Sequence, residues 1–259
     1  SVISGLSDGT VTVTASVTDA AGNTGTGSHN VTVDTGLPSV SFNAISDDNV
    51  LNAVEKGQDL RVSGTSANLA EGTVVAVTLN GKNYTATTAA DGTWSLTVPA
   101  ADLAGLGEAN YILSASATNG VGNSVSNTAN LLVDTALPTV TINTVAGDNV
   151  INAAEVAAGQ TLSGKVANAE AGNTVTVTIG GNRYTATVQN DLTWSVNVPS
   201  DVLTALGNGS LSVTATVTNG HGNTGTGERD ITIDANLPGL RVDTVAGDDV
   251  INSIEHAQN

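Results

Sequence analysis

Short strings of Asp, Asn and Glu recur in this chain at fixed spacing, and such side chains supply the oxygen ligands of hard cations. Asp148, Asn152 and Glu155 lie in one such string. Ca²⁺ takes about six to eight carboxylate, amide or carbonyl oxygens. We therefore predict a Ca²⁺ site in this loop, which is not an EF-hand because it lacks the alternating Asp-x-Asp-x-Asp-Gly series. The prediction extends to the copies of this loop at Asp48, Asn52, Glu55 and Asp248.

A second set of oxygen side chains is placed by the expected path of the strands. If the strands run up and down as in an antiparallel sandwich, Asp134 faces the 219–223 loop of the next repeat. Asp234 then ends its last strand beside the Asp148–Glu155 loop of its own repeat. The candidate ligands where two repeats meet are Asp34, Asp134, Asn119, Asn123, Asn219 and Asn223. Asp19 is replaced by Asn in the later copies, which weakens the prediction of a strong site there.

Turn chemistry is the alternative interpretation of both sets. Asp and Asn are frequent in turns because their side chains bond the neighbouring backbone. The return of the same residues at the same spacing favours a common site, yet recent duplication also produces such repetition. Calcium ligation and ordinary turns therefore both remain open at this point.

A repeat of 100 residues carries these strings and contains no insertion. Repetition at this length indicates domains with their own cores rather than a solenoid. Markers of the period are Leu37-Pro38, Leu137-Pro138 and Leu237-Pro238. The predicted domains are residues 1–35 (the C-terminal part of a repeat), 36–135 and 136–235 (complete repeats), and 236–259 (the N-terminal part of a further repeat).

Within each repeat, apolar residues alternate with Ser and Thr, which predicts half-buried strands. Asn80-Gly81 and Gly180-Gly181 separate such runs as hairpin turns. About seven strands are expected per repeat, as in an immunoglobulin-like sandwich. Residues 99–107 and 199–207 have helical spacing and are expected to form one helical turn that crosses between sheets. The predicted core includes Trp94, Trp194, Val77, Val177, Leu113 and Val213.

Composition excludes several classes of function. Only 7 Lys and Arg oppose 24 Asp and Glu, so no basic patch for nucleic acid is expected. No apolar run is long enough to span a membrane. The chain has no Cys, so disulfides cannot stabilise it. The histidines do not recur in register, and no arrangement of catalytic residues repeats. We therefore do not expect an enzyme.

The string from Leu137 to Glu155, with Tyr-Thr-Ala-Thr at 184–187 and Trp-Ser-Val-x-Val-Pro at 194–199, resembles the bacterial immunoglobulin-like repeats of giant secreted adhesins. Bap-type biofilm-associated proteins and large type I-secreted adhesins carry such arrays. The resemblance implies an all-β chain of tandem immunoglobulin-like sandwiches in an elongated rod at the bacterial surface. It also implies type I export, Ca²⁺ near domain junctions, and roles in attachment and biofilm formation.

Two functions from different classes follow from this resemblance. The first is a structural spacer, stiffened by calcium, whose partners are the neighbouring repeats of the same chain. Host-cell or matrix glycans are then bound by modules outside this sequence. The second is a repeat that itself binds carbohydrate, which requires an exposed aromatic residue such as Trp94 or Trp194. The link at Asp134–Pro138 contains proline rather than a Gly/Ser tether, which favours a semi-rigid spacer.

Overall fold

The alternating segments form antiparallel strands, as the period of two predicts. The computed structural model describes residues 2–245 and 248–257. By its contacts the chain divides into two compact units. The first comprises residues up to Leu137 together with Gly220–Asn223, and the second comprises Pro138–Asn219 together with the residues from Thr224 onwards. Each unit is described in turn.

The described residues of the first unit form ten strands in three sheets. A two-stranded sheet pairs β1 (Gly9–Thr18) with β2 (Thr24–Val33), and a sandwich follows. The strands of the sandwich are β3 (Ser39–Phe42), β4 (Val50–Leu51), β5 (Leu60–Ala67), β6 (Val74–Leu79), β7 (Lys82–Thr87), β8 (Thr93–Val98), β9 (Ala109–Thr118) and β10 (Ser124–Val133). One sheet has the order β3-β5-β8 and the other β4-β10-β9-β6-β7. Helix α1 spans Ala100–Leu103, and 3₁₀ turns span Val2–Gly5 and Glu55–Gly57.

The second unit repeats the sandwich. Its strands are β11 (Thr139–Ile142), β12 (Val150–Asn152), β13 (Gln160–Ala167), β14 (Thr174–Ile179), β15 (Asn182–Thr187), β16 (Thr193–Val198), β17 (Gly209–Thr218) and β18 (Thr224–Asp234). The sheets have the orders β11-β13-β16 and β12-β18-β17-β14-β15. Helices α2 (Ala153–Ala158) and α3 (Ser200–Leu206) and a 3₁₀ turn at Glu255–Ala257 complete the described elements.

Each sandwich has eight strands where the sequence predicted seven. The extra strand is β4 or β12, which leaves the three-stranded sheet after β3 or β11 and joins the five-stranded sheet. It pairs in parallel with the last strand of its repeat, whereas the other strand pairs are antiparallel. The all-β immunoglobulin-like fold itself is confirmed.

The core of each sandwich is aliphatic and contains one Trp. All six residues predicted to be buried are at most 2% exposed. Trp94 and Trp194 lie over Gly64 and Gly164, where a Cβ atom would overlap the backbone of the first strand and approach the indole ring to 2.5 and 2.8 Å. Glycine is thus required here first by the backbone of the neighbouring strand, at 1.7 and 1.8 Å from the Cβ position, and then by the indole ring.

The predicted helical segments are confirmed at α1 and α3, which carry the chain from the three-stranded to the five-stranded sheet. Each follows a proline, Pro99 or Pro199, whose fixed φ suits the residue before a helix. Helix α2 was not predicted from the sequence. It begins inside the acidic string that was expected to be an irregular cation-binding loop.

Candidate functional site

The acidic string begins with a side-chain turn. Asp148 Oδ1 accepts a hydrogen bond from the backbone N–H of Val150 at 2.9 Å. The earlier and later copies make the same bond, from Val50 to Asp48 at 2.9 Å and from Val250 to Asp248 at 3.0 Å. This bond between residues two apart is the ordinary Asx turn.

The string ends with a helix cap. Asn152 Oδ1 accepts from the N–H groups of Ala154 and Glu155, and Glu155 Oε2 accepts from the N–H of Asn152 at 2.9 Å. Both halves of a capping box are therefore present. Asn52 and Glu55 make the same bonds before a 3₁₀ turn. The spacing Asn-x-x-Glu is a known signal for this cap, which is a form of the turn chemistry that the sequence left open beside calcium ligation.

Asp234 and Asn152 are brought together, as the predicted strand path required. They are register partners in the parallel pair of β12 and β18. Asp234 Oδ1 accepts from the N–H of Asn236 at 3.2 Å. In the first unit the backbone N–H of Asp134 donates to the carbonyl of Leu51 at 3.2 Å, which places Asp134 beside Asn52.

Residues 19, 119 and 219 close the hairpins that end each repeat. Asp19 Oδ1 accepts from the N–H groups of Ala21 and Asn23, and its Oδ2 accepts from Asn23 Nδ2. These bonds, led by the Asn23 side chain and then its backbone, hold the pKa of Asp19 below its ordinary value. Asn119 Oδ1 accepts the corresponding backbone bonds from Val121 and Asn123. Asn219 is buried, and its Nδ2 donates to the carbonyl of Asn168.

Asn123 and Asn223 lie against the Asp residue that ends the preceding repeat. Asn123 Nδ2 lies 3.2 Å from the carbonyl oxygen of Asp34 and 3.3 Å from that of Gly36. Asn223 Nδ2 donates to the carbonyl of Asp134 at 2.8 Å, within the first unit, to which residues 220–223 belong. Asn223 is 1% exposed, and its Oδ1 accepts from the N–H of Ala53 at 2.9 Å.

The carboxylates of Asp34 and Asp134 differ in their surroundings. Each Oδ1 accepts a backbone N–H, from Gly36 at 3.0 Å and from Ala136 at 3.1 Å. Asp134 Oδ2 also lies 2.5 Å from His221 Nδ1. Asp34 Oδ2 makes no hydrogen bond in the part of the chain that the structure describes. Repetition in the sequence gave no signal of this contact, because Ala21 and Val121 occupy the position of His221 in the other copies.

The oxygen atoms around Asp34 are of the kinds that bind a calcium ion. Two carbonyl oxygens, of Asp34 and Gly36, converge on one amide group beside a carboxylate that has an unengaged oxygen. Calcium prefers such mixed carboxylate and carbonyl oxygens. Within residues 2–245 and 248–257, however, no three His, Asp or Glu side chains gather as a metal cluster. Asp148, Asn152 and Glu155 bond the backbone of their own loop, and their role as calcium ligands stays a prediction.

The two Trp side chains offer no surface for a sugar ring. Trp94 is 2% exposed and Trp194 is 1% exposed. Trp94 packs edge-on against Phe42, with ring centroids 5.4 Å apart. Stacking on carbohydrate requires an accessible aromatic face, so these residues belong to the core and not to a binding groove.

Comparison with solved structures identifies the family. One match is a structure described as "Ca2+-stabilized adhesin helps an Antarctic bacterium reach out and bind ice", at 33% identity and a TM-score of 0.55. It covers 96% of this chain, which spans 63% of that protein's length. Another is a structure concerning host cell surface retention of a 1.5-MDa bacterial ice-binding adhesin, at 30% identity and a TM-score of 0.51. It covers 86% of this chain and 74% of that one.

This chain belongs to the bacterial immunoglobulin-like repeats of large adhesins. A comparison with protein-family models gives no match, and a comparison with curated proteins gives none either. Both of these similar structures are described as adhesins. Among the residues described, no helix has both the length and the apolar character needed to cross a membrane.

Proposed function

We propose that this chain is a structural spacer of a large adhesin displayed outside a bacterial cell. The observation that carries the proposal is the tandem repetition of complete adhesin-type sandwiches whose only Trp residues are buried. A spacer needs folded, repeated domains and no binding cleft of its own. Its partners are then the neighbouring repeats, and glycans or other receptors are bound by other modules.

Attachment, biofilm formation and export by a type I system belong to the same proposal. They rest on membership of the adhesin-repeat family and not on particular side chains of this chain. The formal net charge of −17 is compatible with a secreted chain that meets divalent cations outside the cell.

Calcium stiffening is the finer part of the proposal. The residues that would hold the ion are Asp34, through its free carboxylate oxygen, and the carbonyl groups of Asp34 and Gly36. When bound, calcium supplies positive charge to the carbonyl oxygens of Asp34 and Gly36. Without calcium, these two oxygens share the side-chain amide of Asn123. At the equivalent position His221 already occupies the carboxylate of Asp134, so we propose weaker binding there.

Calorimetric titration of the metal-free chain with calcium tests this assignment. We expect Asp34→Ala to abolish the stronger binding event and Asp134→Ala to leave it unchanged. His221→Val restores the residue of the preceding copy, frees the carboxylate of Asp134 and is expected to add a second event of similar affinity. Asp191→Ala, which removes an exposed turn carboxylate, is the matched control. Absence of calcium binding in the wild-type chain overturns the calcium part of the proposal.

Small-angle scattering tests the spacer itself. We expect the scattering of the whole chain to be that of an extended particle, with a larger maximum dimension in calcium than in chelator. A maximum dimension close to that of one sandwich, in both conditions, contradicts the spacer function. An unchanged extended particle in chelator leaves the spacer standing and removes the stiffening role of calcium.

A further inference from the structure

We infer that the short parallel strand pair of each complete repeat, β4 with β10 and β12 with β18, is a clamp that bears tension along the chain. The inference rests on the proposed function, because a spacer that carries attached modules transmits the force on them. Two register pairs join β4 to β10, and three join β12 to β18.

The direction of pairing decides how force acts. The chain begins a repeat at β11 and β12 and leaves it at the end of β18. Because β12 and β18 are parallel, tension pulls the start of one and the end of the other in opposite directions along their common axis. The bonds between them are then loaded together in shear. An antiparallel pair pulled from one end opens one bond after another.

Strand β18 is attached to β12 by fewer register pairs than to its other neighbour, β17. On its other side β18 pairs with β17 through ten register pairs, from Gly209↔Ile233 to Thr218↔Thr224. Strand β18 is therefore expected to stay with the sheet while β12 slides. The bond from the N–H of Thr232 to the carbonyl of Asn149, at 2.9 Å, lies in this clamp. Ile151 and Ile233 are at most 2% exposed and hold the inner face of the clamp in the core, whereas Val150 on the outer face is 40% exposed.

The acidic string builds the clamp strand. Ahead of β12, Asn149 has φ 69° and exchanges two bonds with Val145, its N–H donating at 2.7 Å and its Oδ1 accepting at 3.1 Å. Val145 is 2% exposed and anchors this turn in the core. Asp148 fixes the first residue of β12, and the capping box at Asn152 fixes the last. The string thus holds both ends of a three-residue strand.

The third copy of the string makes the same local bonds as the first two. Val250 donates to Asp248 at 3.0 Å, and Asp249 exchanges the same two bonds with Val245. These bonds join residues within the turn itself, so the same short segment specifies the approach to the clamp strand in each copy.

Force-clamp spectroscopy of the whole chain in chelator tests the inference. The chain has no Cys, so cysteines added at its two ends give unique attachments. Each complete repeat is expected to unfold in one step, whose length is about 330–360 Å for 100 extended residues less the end-to-end length of the folded sandwich. Asp148→Ala is expected to shorten the dwell time of the unfolding step of the second complete repeat about fivefold, the effect of losing one ordinary hydrogen bond in unfolding. Asp48→Ala is expected to shorten the dwell time of the step of the first complete repeat.

Asp191→Ala is the control, because Asp191 also accepts a backbone N–H two residues on, at 3.1 Å, together with the hydroxyl of Thr193 at 2.6 Å, but in the turn before β16. It is expected to lower stability in urea at least as much and to leave the dwell times unchanged. Thr232→Pro removes a clamp donor directly and is expected to exceed Asp148→Ala in effect if the variant folds. Equal shortening by Asp148→Ala and Asp191→Ala, or no shortening by either, overturns the clamp. Neither result bears on the scattering test of the spacer.

Discussion

The hydroxyl of Tyr84 donates to Asp102 Oδ2 at 2.8 Å, and Lys82 Nζ lies 2.5 Å from the other oxygen of the same carboxylate. The three residues link strand β7 to helix α1. The hydrogen bonds from Lys82 and then Tyr84 hold the pKa of Asp102 below its usual range. Burial, together with the bond to Asp102, raises the pKa of Tyr84 to about 12.

Alkaline pH is therefore expected to destabilise the first sandwich through Tyr84. Below about pH 10 the phenol is neutral in both the folded and the unfolded chain, so its contribution is fully present. Between about pH 10 and 12 the unfolded chain loses this proton first, and the free energy of unfolding falls. Urea melts across this range are expected to show the fall. Tyr84→Phe is expected to remove this fall in the free energy of unfolding, and Tyr184→Phe is expected to leave it in place. Identical profiles for the two variants contradict the assignment.

Leu192 is a position where backbone strain is predicted to lower the stability of the second sandwich. Its φ is 63°, a left-handed conformation that favours glycine, and Gly92 occupies the equivalent turn with φ 80°. A non-glycine residue in this region is strained by about 1–2 kcal/mol. Leu192→Gly is expected to raise the free energy of unfolding by about 0.5–1 kcal/mol, since glycine also gives up more backbone entropy.

Calorimetry of the variant and of its reverse, Gly92→Leu, measures this difference. The reverse change is expected to be the larger of the two, because a Cβ atom at residue 92 would lie 2.6 Å from the carbonyl oxygen of Ser66. A loss of stability in Leu192→Gly counts against the strain at this turn.

The two buried Trp side chains are expected to respond differently to replacement by Phe. Trp94 Nε1 donates to the carbonyl of Thr65 at 3.3 Å, whereas Trp194 Nε1 is buried without a partner in the described chain. Trp94→Phe loses a hydrogen bond, while Trp194→Phe removes an unsatisfied donor. We expect Trp94→Phe to be more destabilising by about 1 kcal/mol.

Thermal unfolding followed by circular dichroism compares the two variants without relying on Trp fluorescence. Trp194→Ala serves as the reference for complete loss of the ring, expected at about 3–5 kcal/mol. Equal losses for the two Phe variants show that the hydrogen bond of Trp94 contributes nothing.

The capping box at helix α2 gives a prediction that separates turn chemistry from ligation. Asn152→Ala removes the acceptor for two backbone N–H groups and is expected to lower the free energy of unfolding by about 1 kcal/mol. A cap acts without metal, so the loss is expected to be the same in calcium and in chelator. A loss confined to calcium-containing buffer identifies Asn152 as a ligand instead.

The strands and hairpins were predictable because their signals are local. Alternating Val and Thr in β14 and the Gly180-Gly181 turn specify a hairpin with no reference to the rest of the chain. The core position of Trp194 follows from the same alternation. Strand β12 was missed because three residues are too short for a period to be seen, and its partner β18 lies about 80 residues away.

The candidate site was harder to predict for a related reason. The Asn152-Glu155 pair is compatible with a helix cap and with a metal ligand set, and residue type alone does not separate them. The contact between His221 and Asp134 depends on how distant segments meet, and it occurs in one copy, so repetition could not indicate it. The sequence indicated which side chains could bond their own loop, but it did not indicate which residues from distant segments lie in contact.

The packing of Trp194 over Gly164 constrains how these repeats can diverge. A Cβ atom at residue 164 would lie 1.8 Å from the carbonyl oxygen of Thr141 and 2.8 Å from the indole ring. Because the nearer obstacle is backbone, a smaller ring at residue 194 does not open residue 164 to other side chains. Among diverging copies of this repeat, glycine is therefore expected to persist at this position even where the surface residues around it have been replaced.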